Sequence, residues 1–344
     1  MKFLTRNCTF AIGGKDDYYP NLHSVEVIAS NDFYLPHNLP TLNLPIYLTD
    51  HSSVVTNENE LLIIGGLSWF GRYIRGTDHS HDFDCGTYEP LKSNLILQGT
   101  KWVTHSVLLQ PRYRPISICM PNGIYVFGGK EITSEGTSVS GIDCLTSSEF
   151  LANGSLEWQT GPKLPTGAEF IDGGDGVAIS ETELVLMGGF VTTHKEYHED
   201  GKDNRTYYDG YESNQIWKFN TITEEWHLIG NLKIARINHK AAYLNGKVIV
   251  SGGVSFQKLE AINSTEIFDP HHINVEPILE GNLNVSRYRH GIGTILENGT
   301  PKVTVFGGFG GESNPDCLDS IEEWDPDKKE WKLLQQKLSV GRMI

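Results

Sequence analysis

The sequence predicts an all-β repeat protein, a β-propeller, on three observations. Six Gly-Gly pairs each close a short apolar run. Successive pairs stand 52, 63, 60, 64 and 55 residues apart, and repeats of about 50 residues are a signature of propeller blades. In most units a tryptophan then follows, with a large apolar residue seven positions before it. A single blade cannot bury its own faces, so the repeats argue for one domain over residues 1–344.

The Gly-Gly strands come first. The runs before Gly13-Gly14, Gly65-Gly66, Gly128-Gly129, Gly188-Gly189, Gly252-Gly253 and Gly307-Gly308 are rich in Ile, Val, Leu and Phe. Four to six such residues bounded by glycine read as a buried strand. Glycine tolerates positive φ and lets a second backbone come close, as the convergence of blades requires. The turn-forming and tryptophan strands come next. Leu95, Leu151, Phe219 and Trp324 stand seven residues before Trp102, Trp158, Trp226 and Trp331. Asp269-Pro270 and Asp325-Pro326 are turn starters. The aromatics read as packing between blades. Two units are degenerate, with Phe33 or Tyr34 and Val275 near the tryptophan position. Before each Gly-Gly strand lies one more strand. Two copies begin Arg-X-X-His, at Arg236-Ile237-Asn238-His239 and Arg287-Tyr288-Arg289-His290, with related openings at Arg112-Tyr113-Arg114 and Gly341-Arg342. The unit is therefore four strands.

Strand, Gly-Gly, tryptophan and Arg-X-X-His together resemble the kelch repeat, over essentially the whole chain. The resemblance implies a six-bladed β-propeller of four antiparallel strands per blade, closed by terminal strands sharing one blade so that no sheet edge is left free. It implies protein interaction, with actin among the partner classes. The pattern departs at Leu164-Pro165-Thr166-Gly167-Ala168-Glu169, which lacks Arg-X-X-His, and at Thr49-Asp50-His51, which keeps only the histidine. The repeats use the whole chain, so no BTB or F-box segment is expected.

Composition narrows the partner. Apolar residues make up 38%, charged residues 21%, and the net charge is −15, which argues against nucleic acid and anionic membranes. No apolar run reaches the 18 residues of a membrane span, and the start lacks the apolar core of a signal peptide. Five scattered cysteines without a CxxC pair fit a reduced, cytoplasmic setting. Six Asn-X-Ser/Thr sequons, at Asn7, Asn153, Asn204, Asn263, Asn284 and Asn298, favour the alternative, a secreted glycoprotein.

Chain direction places the binding face. In an up-and-down blade, the connection after the Gly-Gly strand shares one rim with the entry to the Arg-led strand. That rim carries the segments at about 67–90 and 190–212 and the repeat arginines. Exposed Trp, Tyr and Arg are common interface anchors, and Arg captures carboxylates in bidentate fashion. The candidate partner-binding residues are Arg112, Tyr113, Arg114, Arg236, Asn238, Arg287, Tyr288 and Arg342, with Trp69, Phe70, Arg72 and Tyr73 from the second segment. Each repeat arginine has a second reading, as a structural donor to loop carbonyls or a neighbouring glutamate. The expected function is a non-enzymatic, monomeric scaffold for a protein or peptide, acidic or cytoskeletal, with no cofactor. The alternatives are a metal- or carbohydrate-dependent propeller enzyme and a secreted glycan-binding glycoprotein. The weak metal candidates are His79, His81, Asp82 and Asp84, followed by the stretch His194-Lys195-Glu196-Tyr197-His198-Glu199-Asp200, since alternating His and Asp/Glu put ligands on one side of an extended segment. No GxSxG, Walker A or HExxH pattern occurs.

Overall fold

A computed structural model describes residues 8–15, 22–29, 42–70, 73–74, 83–84, 87–134, 140–165, 172–200, 203–255, 260–297, 300–311 and 316–344. Among these the regular structure is all β, and no helix is long and apolar enough to cross a membrane.

Five of the six Gly-Gly runs are the second strand of a four-stranded antiparallel sheet, as their buried, β-branched character requires. The first sheet orders Ser52–Val55, Leu61–Ile64, Ser93–Gln98 and Lys101–Val107. The second orders Ile116–Met120, Gly123–Phe127, Ser148–Ala152 and Gln159–Thr160. The third is Asp175–Ala178, Glu183–Met187, Gln215–Asn220 and Glu225–Asn231. The fourth is Lys240–Leu244, Lys247–Ser251, Ser264–Phe268 and Ile278–Asn282. The fifth is Gly291–Glu297, Thr300–Phe306, Ser320–Asp325 and Glu330–Lys337. Cys8–Ile12 and Val25–Ala29 form a two-stranded pair around the first Gly-Gly run. The first strands of successive sheets touch, and Gly291–Glu297 touches Cys8–Ile12. Antiparallel four-stranded sheets set side by side in this way are consistent with the β-propeller that the repeats imply.

The core lies between sheets rather than within them. Ile118, Phe127, Leu186 and Phe219 join the second sheet to the third. Met187, Ile216, Val250 and Phe268 join the third to the fourth. Each fully buried side chain of this size stabilises by about 1.5–3 kcal/mol. The seven-residue spacing to tryptophan is a cross-strand pairing where Phe219 faces Trp226 and Trp324 faces Trp331, but not in the first sheet, where Trp102 faces Leu97 and Leu95 faces Thr104. The indole N–H groups then reach the preceding sheet, from Trp158 to Ser106 Oγ at 3.0 Å and from Trp331 to Thr265 Oγ1 at 2.8 Å. Packing between units is thus backed by directional bonds between them.

The glycine pairs do the same through backbone. Gly253 N–H donates to the Arg287 carbonyl at 2.8 Å, and Gly308 N–H to that of Arg342 at 2.7 Å. Gly252 and Gly253 hold φ of +61° and +104°, and a Cβ on Gly252 would press into the Arg287 carbonyl oxygen. Gly252→Ala is expected to cost about 2–4 kcal/mol, from left-handed strain plus the clash. Urea unfolding of the variant measures this; a loss below about 1 kcal/mol would show that the neighbouring unit can retreat.

One expectation is corrected in detail. The first strands of the fourth and fifth sheets begin at Lys240 and Gly291, next to the histidine of Arg-X-X-His rather than at the arginine. The cause is the third residue of the motif, Asn238 or Arg289, whose φ of 53° or 50° interrupts the extended backbone.

Candidate interaction site at the axial mouth

The first arginine of each motif lies inside the protein. Arg112, Arg236, Arg287 and Arg342 are all 0% exposed. Arg236 donates to the carbonyls of Gly252 (2.7 Å) and Ser264 (3.1 Å), to Ser264 Oγ, and to Glu266 Oε1 at 2.7 Å. Arg287 repeats the set with Gly307, Ser320 and Glu322, and Arg112 with Gly128, Ser147 and Glu149. Arg342 reaches across the chain to Gly13, Ser24 and Glu26. Each glutamate also accepts backbone N–H groups just upstream of its arginine, as Glu266 does from Lys233 and Ile234. Burial pulls the guanidinium of Arg236 below its ordinary range while Glu266 pulls it back. A side chain without exposed surface contacts no partner, so the second reading holds for these four arginines. The sequence signal for it was the third strand, where Ser24-Val25-Glu26, Ser147-Ser148-Glu149, Ser264-Thr265-Glu266 and Ser320-Ile321-Glu322 carry the acceptors.

The first sheet lacks this pair altogether. By register, Leu48 takes the arginine position and Leu95 the glutamate position, and both are buried in one apolar cluster.

The third residue of each motif does reach the mouth. Asp50, Arg114, Gly173, Asn238, Arg289 and Ile344 line one cavity of about 60 Å³, with His51, Asp175 and Lys240 beneath them. Backbone bonds link them in sequence: Arg114 N–H to Asp50 O (2.6 Å), Asn238 to Gly173 (2.5 Å), Arg289 to Asn238 (2.9 Å) and Ile344 to Arg289 (2.8 Å). The left-handed φ of Asp50, Arg114, Asn238 and Arg289 serves these bonds. Such conformations in bulky residues collect at functional sites.

The charges at the mouth are unevenly matched. Asp50 Oδ1 takes Arg114 Nε at 2.9 Å and Arg289 Nη1 only at 3.7 Å. Asp172 pairs with Lys130 at 2.6 Å and with Arg114 at 3.9 Å. Burial lowers the Arg114 pKa, but Asp50 and Asp172 outweigh it and hold the group above its ordinary value. Lys240 stands 3.8 Å from Asp175, whose carboxyl burial lifts. His51 is lowered to about 4 by burial, against the pull of Asp50. Asp50, Lys240 and Asp175 were missed as site residues because each is ordinary in isolation; aligning the third motif position exposes only Asp50.

The remaining candidates divide. Tyr113 is buried beside Lys130 and carries Arg114 over its ring at 5.9 Å. Tyr288 packs edge-on to Phe309. Trp69 and Phe70 lie in the strand Leu67–Phe70, which pairs with Thr87–Pro90, and Tyr73 pairs with Asp84. Arg72, His79, His81 and Asp82 fall outside the described residues. The hairpins after the Gly-Gly runs stand together: Thr87–Pro90 touches Lys130–Ser134, and Ser140–Cys144 touches Asp203–Glu212. Among the described residues no three His, Cys, Asp or Glu side chains converge as a metal site.

Repeated four-stranded antiparallel sheets with charges gathered at one cavity define a repeat protein of the propeller type. The curated proteins it resembles agree. Human Kelch-like protein 6 is 41% identical over 71 residues, 20% of this chain and 11% of that protein. Alpha-scruin of Limulus polyphemus is 25% identical over 191 residues, 53% of this chain and 18% of its own. Kelch repeat and BTB domain-containing protein 1 of camelpox virus is 25% identical over 252 residues, 72% and 36% of the two chains. No protein-family model matches. Over these segments the chain is similar to kelch-repeat proteins. The chain spans only about a tenth to a third of their length.

Proposed function

We propose that residues 1–344 form one six-bladed propeller acting as a non-enzymatic, cytoplasmic scaffold, which takes an acidic protein or peptide segment at the axial mouth. Six Gly-Gly units, six equivalent mouth residues and the Lys15–Met343 bridge between the chain ends support six blades and their closure. The observation that carries the binding reading is the sharing of Asp50 by two arginines. Arg289, held at 3.7 Å, gains a closer partner when a guest carboxylate enters, and the bidentate fork of arginine suits that ligand. Trp69, Phe70, Tyr73 and Tyr211 on the neighbouring hairpins supply aromatic anchors of the kind interfaces favour. A cytoplasmic setting is supported by Asn284, whose amide nitrogen is spent on Glu322 Oε2 (2.9 Å) and the Trp331 carbonyl (2.7 Å) rather than free for a glycan.

The test is quantitative capture from native lysate, and co-sedimentation with actin, by wild type and by Arg114→Ala/Arg289→Ala. The double variant is expected to keep its thermal midpoint and lose capture about tenfold or more, the size of one charge-assisted contact. Equal capture by both proteins, or none by either, would overturn the reading. Variants at Arg236, Arg287 or Arg342 do not serve here, because they remove structural ion pairs.

A further inference from the structure

The floor and rim of the axial cavity carry cations whose partners stand out of reach. Lys240 Nζ lies 3.8 Å from Asp175 Oδ1, beyond hydrogen-bond range, and the other carboxyl oxygen of Asp175 already accepts the Ala241 N–H at 2.7 Å. Arg289 Nη1 lies 3.7 Å from Asp50 Oδ1, an oxygen that Arg114 Nε engages at 2.9 Å. Among the described residues neither cation has a closer carboxylate. His239 lines the same cavity, is only 1% exposed, and has neither ring nitrogen in hydrogen-bond geometry with a partner. Buried polar groups are almost always hydrogen-bonded, so an orphaned imidazole beside two under-used cations points to a polar guest. The sign of that guest follows from the lining. Arg114, Arg289 and Lys240 are three cations against the two carboxylates Asp50 and Asp175, and burial keeps the His239 imidazole neutral. Its size follows from the volume. About 60 Å³ holds about two water-sized groups of about 30 Å³ each, which is the room a carboxylate head needs and too little for a peptide unit.

We propose that this cavity is a socket for one carboxylate group, taken between Lys240 on the floor and Arg289 at the rim, with Asp50 as its resident competitor. The inference rests on the reading of the mouth as the binding site and narrows it. The guest enters as a single acidic head, from a partner's side chain or from a free small carboxylate. One of its oxygens meets the Lys240 ammonium and the other the Arg289 guanidinium, both in charge-assisted bonds, which are roughly twice as strong as neutral ones. A single excess positive charge suits a monoanion better than a phosphate group near −2. Asp50 holds Arg114 and draws on Arg289, so removing its charge frees both arginines for the guest.

The experiment is saturation-transfer NMR on the full chain at pH 7.5, with sodium acetate as probe and acetamide, its neutral isostere, as control. Acetate is expected to bind saturably and acetamide not at all. Lys240→Met and Arg289→Met should each weaken acetate binding about tenfold, the size of one charge-assisted contact. Lys247→Ala, exposed beside Asp269, should leave it unchanged. Asp50→Asn should strengthen binding about tenfold, a gain that damage to the fold does not produce. Arg289→Met, at the rim, keeps the test readable if Lys240→Met unfolds. Acetyl-Gly-Glu-Gly-amide separates the sources: binding tighter than acetate assigns the socket to a partner's side chain, and weaker binding assigns it to a free small carboxylate. No saturable acetate signal, an equal signal from acetamide, or weakening by Asp50→Asn would overturn the proposal. Partner capture that depends on Arg114 and Arg289 without acetate uptake overturns this inference alone. Acetate uptake by a protein that captures no partner overturns only the reading of the mouth as a protein site.

Discussion

Arg236→Leu is expected to destabilise the protein by about 3–5 kcal/mol, because it leaves Glu266 charged and buried without its partner. Both side chains are 0% exposed, so solvent cannot stand in. Glu266→Leu alone should cost a similar amount, stranding the guanidinium. The double variant Arg236→Leu/Glu266→Leu should recover at least half of the summed loss, since two apolar groups of similar size often replace a buried pair at little cost. The protein has already made this exchange: Leu48 and Leu95 occupy the same two positions in the first sheet. Recovery is incomplete because the Gly252 and Ser264 carbonyls lose a donor, at about 1 kcal/mol each. A double-mutant cycle by urea unfolding gives the coupling directly. Strictly additive losses would show that arginine acts through its carbonyl bonds alone and that the glutamate is incidental.

Acid is expected to weaken the fold through buried histidines. Burial lowers His51 to about 4, and it lowers His239 and His290 well below their ordinary value, with Arg236 and Arg287 adding to the effect. A depressed folded-state pKa means that the unfolded chain binds the proton first, near pH 6.5. Stability contributed by these groups is therefore complete above that pH and falls as pH drops towards the folded value. For His51 the loss between pH 6.5 and 4 amounts to about 3 kcal/mol, at 1.36 kcal/mol per unit. Asp175 runs in the opposite direction. Its raised carboxyl pKa lets the folded state take up that proton first and offsets part of the loss. The check is the unfolding free energy from pH 7.5 to 4.5, for wild type and for His51→Asn. The variant should show a shallower slope by up to one proton; parallel profiles would exclude His51 as a source of acid lability.

The repeat unit was legible because its signals are local. Gly-Gly after an apolar run reports a buried strand ending against another backbone, and the seven-residue step to tryptophan reports a hairpin, as Phe219–Trp226 confirms. The end of the molecule that carries the candidate site was legible in outline, since chain direction alone puts the hairpins after Gly-Gly and the Arg-X-X-His entries at one end. The choice between the two arginines of Arg112-Tyr113-Arg114 was not. Both residues carry the same charge in the same motif, and only packing decides that Arg112 turns inward to Glu149 while Arg114 meets Asp50 at the mouth.

By itself, the sequence determined an all-β repeat with antiparallel strands, its kelch character and the end of the molecule where charge collects, because periodicity and turn chemistry act within a few residues. Only the tertiary structure decided which charges are exposed. That depends on acceptors some 30 residues away, and for Arg342 on Glu26 at the far end of the chain, brought together when the sheets pack side by side.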